Sequence, residues 1–176
     1  MAFPLAKSIA LLERTPTILN AWLAGLPPIW IHANEGPNTW SPFDIVGHLI
    51  HGEETDWIPR IKKILRGGQD AVFEPFDRFG FEANAGEDTI ESLLDRFAQC
   101  RSASVQELRA MDLGPSQFAL CGQHPEFGSV RLDQLLAAWT AHDLAHFAQV
   151  SRVMAKVHAD AVGPWRKYLP IVNPLE

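Results

Sequence analysis

The sequence has few cysteines, no long apolar run and fewer basic than acidic residues. Its only two cysteines, Cys100 and Cys121, do not have the spacing of a metal-binding motif and form at most one disulfide. No run approaches the ~18 apolar residues of a membrane-spanning helix. The 15 lysines and arginines are outnumbered by 21 acidic residues, for a formal net charge of −6. We therefore expect no membrane partner and no nucleic-acid partner, because binding phosphates requires a basic face.

The remaining composition is typical of a folded protein. Hydrophobic residues make up 47% of the chain and charged residues 20%, which excludes an intrinsically disordered chain. A chain of this length buries about 70% of its unfolded surface in one core, and we predict a single domain over residues 1–176. Residues 1–7 lack the basic and apolar regions of a secretory signal. We therefore expect a cytoplasmic protein with reduced cysteines.

Apolar residues recur at the 3.6-residue period of a helix in four stretches, and the segments between them show no strand-like alternation. Each stretch would form a helix with one apolar face, and no helix can bury that face without a partner. The pattern therefore predicts an all-α four-helix bundle. Two long connections, 67–87 and 112–128, contain glycine and proline. Connections of this length often border functional sites, and disorder is the alternative for 67–87. The predicted helices span about 15–25, 41–66, 88–111 and 131–157.

Local signals support two of these helix starts and one bend. Ser41 precedes Pro42 and Asp44, so its hydroxyl can cap the second helix while Asp44 completes a capping box. Residues 88–91, Asp-Thr-Ile-Glu, predict another capping box at the start of the third helix. Pro59 lacks a backbone donor, and we expect the second helix to bend near residues 55–57.

Two histidines of the fourth helix, His142 and His146, lie one turn apart and therefore on one face. Seven histidines in 176 residues give roughly 0.3 such pairs by chance, so the spacing alone is weak evidence. Position strengthens it, because both histidines follow Trp139 on the apolar stripe and should point into the bundle. Buried imidazoles need partners for their ring nitrogens.

A third histidine, His48, lies on the inner face expected for the second helix, three residues after Ile45. Three imidazoles from facing helices, with room for water, are typical of an open catalytic metal site in a bundle core. The alternative is three separate histidines, each satisfied by ordinary hydrogen bonds. The residue pattern alone leaves both interpretations open.

These motifs resemble the DinB-like (DinB/YfiT-like) superfamily of metal-dependent four-helix-bundle proteins. The resemblance covers about residues 10–158 in motif order, helix order and loop placement. Each motif is modest alone, whereas a histidine on the second helix with a late His-x-x-x-His-x-x-Gln run is fairly specific. The motifs are Trp40–Asp44, Gly47–Leu49, Trp57, Leu135–Leu136 and the run from His142 to Gln149.

The resemblance implies an up-down-down-up bundle with one long crossover and a divalent metal held by His48, His142 and His146. It also implies zinc or nickel as the usual metal, and a homodimer. Related members include transferases and isomerases that use a low-molecular-weight thiol, while others are regarded as hydrolases. This chain has no recognisable added thiol-binding signature.

Three neutral ligands would leave the metal its full charge, which favours either hydrolysis or thiolate transfer on a small-molecule substrate. His51, next to the second-helix motif, is the candidate proton carrier, and Glu54 and Asp56 are candidates to orient ligands or a metal-bound water. A solvated helix face is the alternative for the acidic pair. Asp143 should point about 100° away from His142 and have a structural or inter-helix role.

The remaining candidates are weaker. Trp40, Trp57 and Trp139 flank the histidine motifs and either line a pocket or belong to the core. His124, in the second long connection, either reaches over the pocket mouth or is exposed to solvent. Two functional hypotheses follow: a metal-dependent hydrolase or thiol S-transferase, and a non-catalytic small-molecule-binding or stress-related bundle whose metal site is structural or vestigial.

Overall fold

The computed structural model describes residues 3–82 and 88–173. Eight helices and one two-stranded hairpin occur in these parts of the chain, with short 3₁₀ turns beside them. The elements are α1 (Leu5–Leu12), α2 (Thr15–Leu23), α3 (Pro28–Ile31), α4 (Pro42–Thr55), α5 (Trp57–Gly67), α6 (Ile90–Ala110), α7 (Pro115–Phe118), β1 (Cys121–His124), β2 (Gly128–Arg131) and α8 (Leu132–Lys156).

Four helical columns form the bundle: α1 with α2, α4 with α5, α6, and α8. Pairs of contacts along each interface give the relative directions of the columns. The second and third columns run parallel, the first is antiparallel to the third, and the fourth is antiparallel to the second. These directions are the predicted up-down-down-up order, with a long crossover between the parallel columns. The second and third columns are joined by Glu54–Arg96 and Lys62–Glu107, and the first and third by Leu12–Arg101 and Gly25–Glu91. The second and fourth are joined by His48–His142 and Glu53–Trp139.

The second column breaks where Pro59 predicted a bend. Helix α4 ends at Thr55 and α5 begins at Trp57. Asp56, between them, adopts φ −114° and ψ −70°, because Pro59 has no N–H to continue the hydrogen-bond ladder. Asp56 at this break is buried, and its Oδ1 lies 2.7 Å from Arg60 Nε.

The two predicted capping boxes differ in outcome. Ser41 Oγ accepts from the Asp44 N–H at 3.2 Å, and Asp44 Oδ2 accepts from the Ser41 N–H at 2.9 Å. The box predicted at residues 88–91 is instead formed one residue later, between Thr89 and Ser92. The Glu91 carboxylate instead accepts a hydrogen bond from the Gly25 N–H at 3.3 Å.

The connection 112–128, predicted as a loop, contains α7 and an antiparallel hairpin. The register pairs Cys121 with Arg131 and His124 with Gly128. Strands of four residues are too short to show alternation, so this prediction was wrong. The hairpin also binds the crossover, since the Gln123 N–H donates to Ala71 O at 2.7 Å and Gln123 O accepts from the Phe73 N–H at 2.9 Å.

The core consists of two apolar clusters, one at each end of the bundle. The cluster nearer the hairpin includes Ile61, Leu108 and Leu136, and the other includes Ile45 and Phe97. No helix in the described parts of the chain is both long and apolar enough to cross a membrane.

A buried ionic layer centred on Arg101 of α6 joins all four columns. The Arg101 side chain is 1% exposed, and it donates to Glu53 Oε1 at 3.0 and 2.8 Å and to Asp143 at 2.5 and 3.0 Å. It also donates to Leu12 O at 3.0 Å, while Thr15 Oγ1 donates to Asp143 Oδ2 at 2.6 Å. The inter-helix role predicted for Asp143 is thereby confirmed.

Replacing Arg101 with methionine would leave Glu53 and Asp143 as buried carboxylates without their cation. We expect R101M to lower the free energy of unfolding by about 3–5 kcal/mol, because an unpaired buried charge keeps its desolvation cost. Urea denaturation followed by circular dichroism measures the change.

The matched control is R109M, which removes an exposed ion pair of 2.7 Å with Glu13. An exposed pair contributes at most about 1 kcal/mol. A loss for R101M no larger than that for R109M would show that the buried layer does not stabilise the bundle.

Candidate metal centre

The three predicted histidines meet in the bundle core. His48 comes from α4, and His142 and His146 come from the antiparallel α8. The Nε2 atom of His142 lies 3.1 Å from Nε2 of His48 and 3.0 Å from Nε2 of His146. A potential ligand nitrogen from each ring lies within 4.8 Å of the other two. These three side chains therefore present their ring nitrogens to one point.

The helical geometry explains this convergence. His142 and His146 are one turn apart on α8, and their ring centroids are 4.3 Å apart. Because α4 runs antiparallel to α8, its inner face brings His48 beside the same turn.

Hydrogen bonding among the three rings cannot satisfy all three Nε2 atoms. A neutral imidazole nitrogen is either a donor or an acceptor, and it has one hydrogen or one in-plane lone pair. Nε2 of His142 can therefore make a hydrogen bond to His48 or to His146, but not an equivalent bond to both. A cation that accepts three lone pairs removes this conflict. With metal–nitrogen distances of about 2.0–2.1 Å, ligand nitrogens of one ion lie at most about 4.2 Å apart, and both short contacts are within that limit.

The opposite ring nitrogen of His146 agrees with this assignment. Nδ1 of His146 lies 2.9 Å from Oε1 of Gln149, so an Nδ1–H donor leaves the Nε2 lone pair free. The Nδ1 atoms of His48 and His142 are buried and lack a hydrogen-bond partner among the described residues. The donor set is that of a divalent ion of intermediate softness, because imidazole suits zinc, nickel, copper and iron. The residues present fit the metal that the family resemblance implies.

Burial keeps these imidazoles neutral. It lowers the pKa of His48 to about 3, with smaller effects of His146 and His142. It also lowers the pKa of His142 to about 3, assisted by His146 and by the positive charge of Arg101. Burial lowers the pKa of His146, and the hydrogen bond to Gln149 opposes that shift. These imidazoles are therefore neutral at neutral pH, which is the form that binds a metal.

Aromatic side chains surround the three histidines. The Trp40 ring lies 4.5 Å from that of His48, and the Trp57 ring lies 5.3 Å from that of His142. Trp57 also stacks on Trp139 at 5.8 Å, with 10° between the planes. Trp139 and Trp57 are buried core residues and Trp40 is half-buried. Trp57 also lines a cavity that His142 borders.

A cavity of about 590 Å³ extends from His142 to the surface. Both long connections border it, as predicted, through Pro75, Phe76 and Arg78 of the crossover and residues 124–127 of the hairpin turn. His124, for which a solvent-exposed position was the alternative, is half-buried and lines this cavity. The cavity is also lined by Gly52, Asp56, Trp57 and Arg60.

The two candidate catalytic residues lie outside the group of three histidines. The His51 ring lies 5.2 Å from that of Phe76, and a Cβ on Gly80 would lie 2.5 Å from His51 Nε2. Glu54 accepts hydrogen bonds from Arg96 at 3.2 and 2.7 Å. Their catalytic roles stay predictions.

Sequence reasoning gave no role to three residues that shape the centre. Gln149 follows His146 by three residues, and this helical spacing was a usable signal. Arg101 falls between Phe97 and Val105 on the apolar stripe of α6, which marks an inward position. Glu53 offered no comparable signal, since it stands next to the exposed Glu54.

Comparisons with known proteins agree with this architecture. The family model described as the DinB superfamily matches residues 11–150. No curated protein matches the chain. Among solved structures, YfiT from Bacillus subtilis, described as a probable metal-dependent hydrolase with an unusual four-helix bundle topology, has a TM-score of 0.73 at 19% sequence identity. The match covers 87% of this chain and 87% of that chain.

The low pKa values of His48 and His142 predict how stability depends on pH in metal-free protein. Below pH ~6.5 the unfolded imidazoles bind protons, whereas the folded ones do not until about pH 3. The contribution of these two histidines to the free energy of unfolding is therefore fully present above pH ~6.5 and is lost as the pH falls. We expect a loss of about 1–2 kcal/mol per histidine between pH 7 and 5.

Chemical denaturation of chelator-treated protein at pH 7 and pH 5 measures this loss. The control is the double variant H48N/H142N, which lacks both imidazoles and should show a smaller loss over the same interval. Equal losses for wild type and variant would contradict the assignment of these two histidines as buried neutral groups.

Proposed function

Because the chain belongs to the DinB superfamily and brings three histidines together at a cavity, we propose that it is a metal-dependent enzyme. His48, His142 and His146 are the proposed ligands of one divalent ion. The convergence of three Nε2 atoms that cannot all be satisfied by hydrogen bonds carries this proposal.

The composition of the group supports a catalytic rather than a structural ion. Among the described residues, no cysteine or carboxylate joins the three histidines within 4.8 Å. Structural zinc sites are usually closed by four protein ligands, whereas catalytic sites have three and an open position. The cavity at His142 gives a small molecule access to that position.

The chemistry supplied by a bound divalent ion is Lewis acidity, which polarises a substrate oxygen and lowers the pKa of a coordinated water or thiol. The protein orients the ligands: Gln149 accepts from Nδ1 of His146 at 2.9 Å and so fixes its tautomer. Trp40 and Trp57 exclude bulk water from two sides of the ligand rings.

His51 is the proposed proton carrier, and Glu54 is proposed to orient ligands or a metal-bound water. Both line a small cavity of about 80 Å³, together with Gly47 and Phe81. His51 is adjacent to the ligand region through Phe76, whose ring lies 5.2 Å from that of His51 and 5.6 Å from that of His48.

Zinc or nickel is the proposed metal, and hydrolysis of a small molecule is the proposed reaction. The description of YfiT as a probable metal-dependent hydrolase supports hydrolysis. Transfer of a low-molecular-weight thiol is the alternative reaction at the same centre, since a lowered pKa activates a thiol as well as a water.

A cytoplasmic homodimer completes the proposal. The two cysteines are free and half-buried, which suits a reducing compartment. Apolar side chains on α1, α2 and α8 support a subunit interface, because Leu11, Ile18 and Leu144 are 45%, 45% and 50% exposed.

The metal content of protein purified without an affinity tag tests the proposal. We expect about one zinc or nickel ion per chain and a large reduction in H142A, because one of three ligands is removed. The control H158A, which removes an exposed histidine beside Trp30, should leave the content unchanged. Elemental analysis by mass spectrometry gives the measurement.

Turnover separates the enzyme from the non-catalytic alternative. A panel of esters, amides and thiol conjugates should include a substrate whose conversion stops when the metal is removed and returns with zinc or nickel. Metal that is substoichiometric in wild type and no lower in H142A would contradict the metal centre. Stoichiometric metal without turnover would favour a binding protein with a structural ion.

A further inference from the structure

His124 ends strand β1 and lines the same cavity as the proposed ligand His142. Its Nδ1 atom accepts hydrogen bonds from the backbone N–H groups of Glu126 at 3.2 Å and Phe127 at 3.3 Å. A ring nitrogen that accepts hydrogen bonds carries no proton, so the proton of the neutral imidazole is on Nε2. This is the opposite tautomer from that of His146, whose Nδ1 is the donor.

The hairpin turn holds the His124 ring in place. The ring stacks on Phe127, with centroids 4.5 Å apart and 12° between the planes, and meets the edge of the buried Phe73 at 6.3 Å. Gly128, opposite His124 in the hairpin, has φ +68°, a conformation that favours glycine and closes this three-residue turn. The ring orientation is therefore set before a ligand enters.

The Nε2–H group of His124 has no acceptor among the described residues. The nearby Asp56 carboxylate is paired with Arg60, whose Nε lies 2.7 Å from Asp56 Oδ1. Burial lowers the pKa of His124, the charge of Arg60 lowers it further, and Glu126 opposes both effects. The ring is thus a neutral donor at neutral pH, in a cavity where the most buried carboxylate is already engaged.

Two further features of the cavity indicate the kind of molecule it accepts. Its walls include Trp57, Phe76 and Phe127, which suit an apolar or aromatic body. Arg78 also lines it, with its guanidinium 5.5 Å from the Trp40 ring centroid. In the described parts of the chain Arg78 makes no ion pair, which leaves a positive charge for a ligand.

From these contacts we propose that His124 is a substrate-binding residue that donates its Nε2–H to a carboxylate oxygen of a small molecule with an apolar body. The inference rests on the proposed function, since it places that molecule in the cavity at the metal centre. It assigns the substrate class as small aromatic or aliphatic carboxylates.

Nitrogen NMR of the full-length, zinc-loaded protein tests the tautomer and the contact. Long-range ¹H–¹⁵N correlations distinguish the two neutral tautomers, and they should show His124 protonated on Nε2. Benzoate is the probe, and its addition should shift the His124 signals in a saturable manner. Benzamide, a neutral molecule of the same size, should bind more weakly because it lacks the charge that Arg78 attracts.

The variant H124N removes the ring donor while its side-chain oxygen can still accept from the turn amides, as asparagine does in Asx turns. We expect at least tenfold weaker benzoate binding by H124N at an unchanged zinc content and melting temperature, the loss typical of a hydrogen bond to a charged group. The matched control H158N should bind benzoate like wild type.

Unchanged benzoate affinity in zinc-loaded H124N, benzamide binding as tight as benzoate, or an Nδ1–H tautomer would each overturn the proposal. If H124N fails to fold, the wild-type tautomer and the saturable benzoate shift decide the outcome. Failure of the proposed function has a different signature, because wild type and H124N would then both lack stoichiometric zinc.

Discussion

The bundle depends on the burial of one guanidinium. Arg101 is almost fully enclosed and donates hydrogen bonds to groups on the other three columns: Leu12 O, Glu53 and Asp143. Removing these charges from water is expensive, and the cost is offset only when the geometry fixes every partner. The ionic layer therefore specifies how the four columns are positioned, whereas the apolar clusters on either side of it supply most of the burial energy.

The same layer sets the geometry of the metal centre. Asp143 follows His142 directly on α8. Its pairing with Arg101 therefore fixes the rotation of α8 and points His142 inward. Glu53 Oε1 also accepts from Trp139 Nε1 at 3.1 Å, Trp139 stacks on Trp57, and Trp57 meets the His142 ring. With one cation and two carboxylates, the layer carries one net negative charge beside a site proposed for a divalent cation.

Much of this arrangement could be predicted from the sequence. Helical periodicity, the Ser41 capping box and Pro59 predicted the columns and the break at Asp56, and the one-turn spacing of His142 and His146 predicted a shared face. The hairpin was missed because its four-residue strands show no periodicity, and its pairing with Ala71 and Phe73 is non-local. For His124 the sequence left two positions open, because the hairpin turn whose amides orient its side chain was not predicted. The stripe of α6 marks Arg101 as inward but does not reveal its distant partners, and Glu53 had no signal because it stands next to the exposed Glu54.

In the proposed metal centre, three imidazoles hold one ion that keeps an open position. X-ray absorption at the metal edge of untagged, metal-bound protein tests it most directly, because the method counts and identifies the coordinating atoms. We expect about three imidazole nitrogens, with their characteristic multiple scattering, and at least one additional light atom from solvent or substrate. A shell containing sulfur, or a shell of oxygen atoms without imidazole scattering, would contradict it.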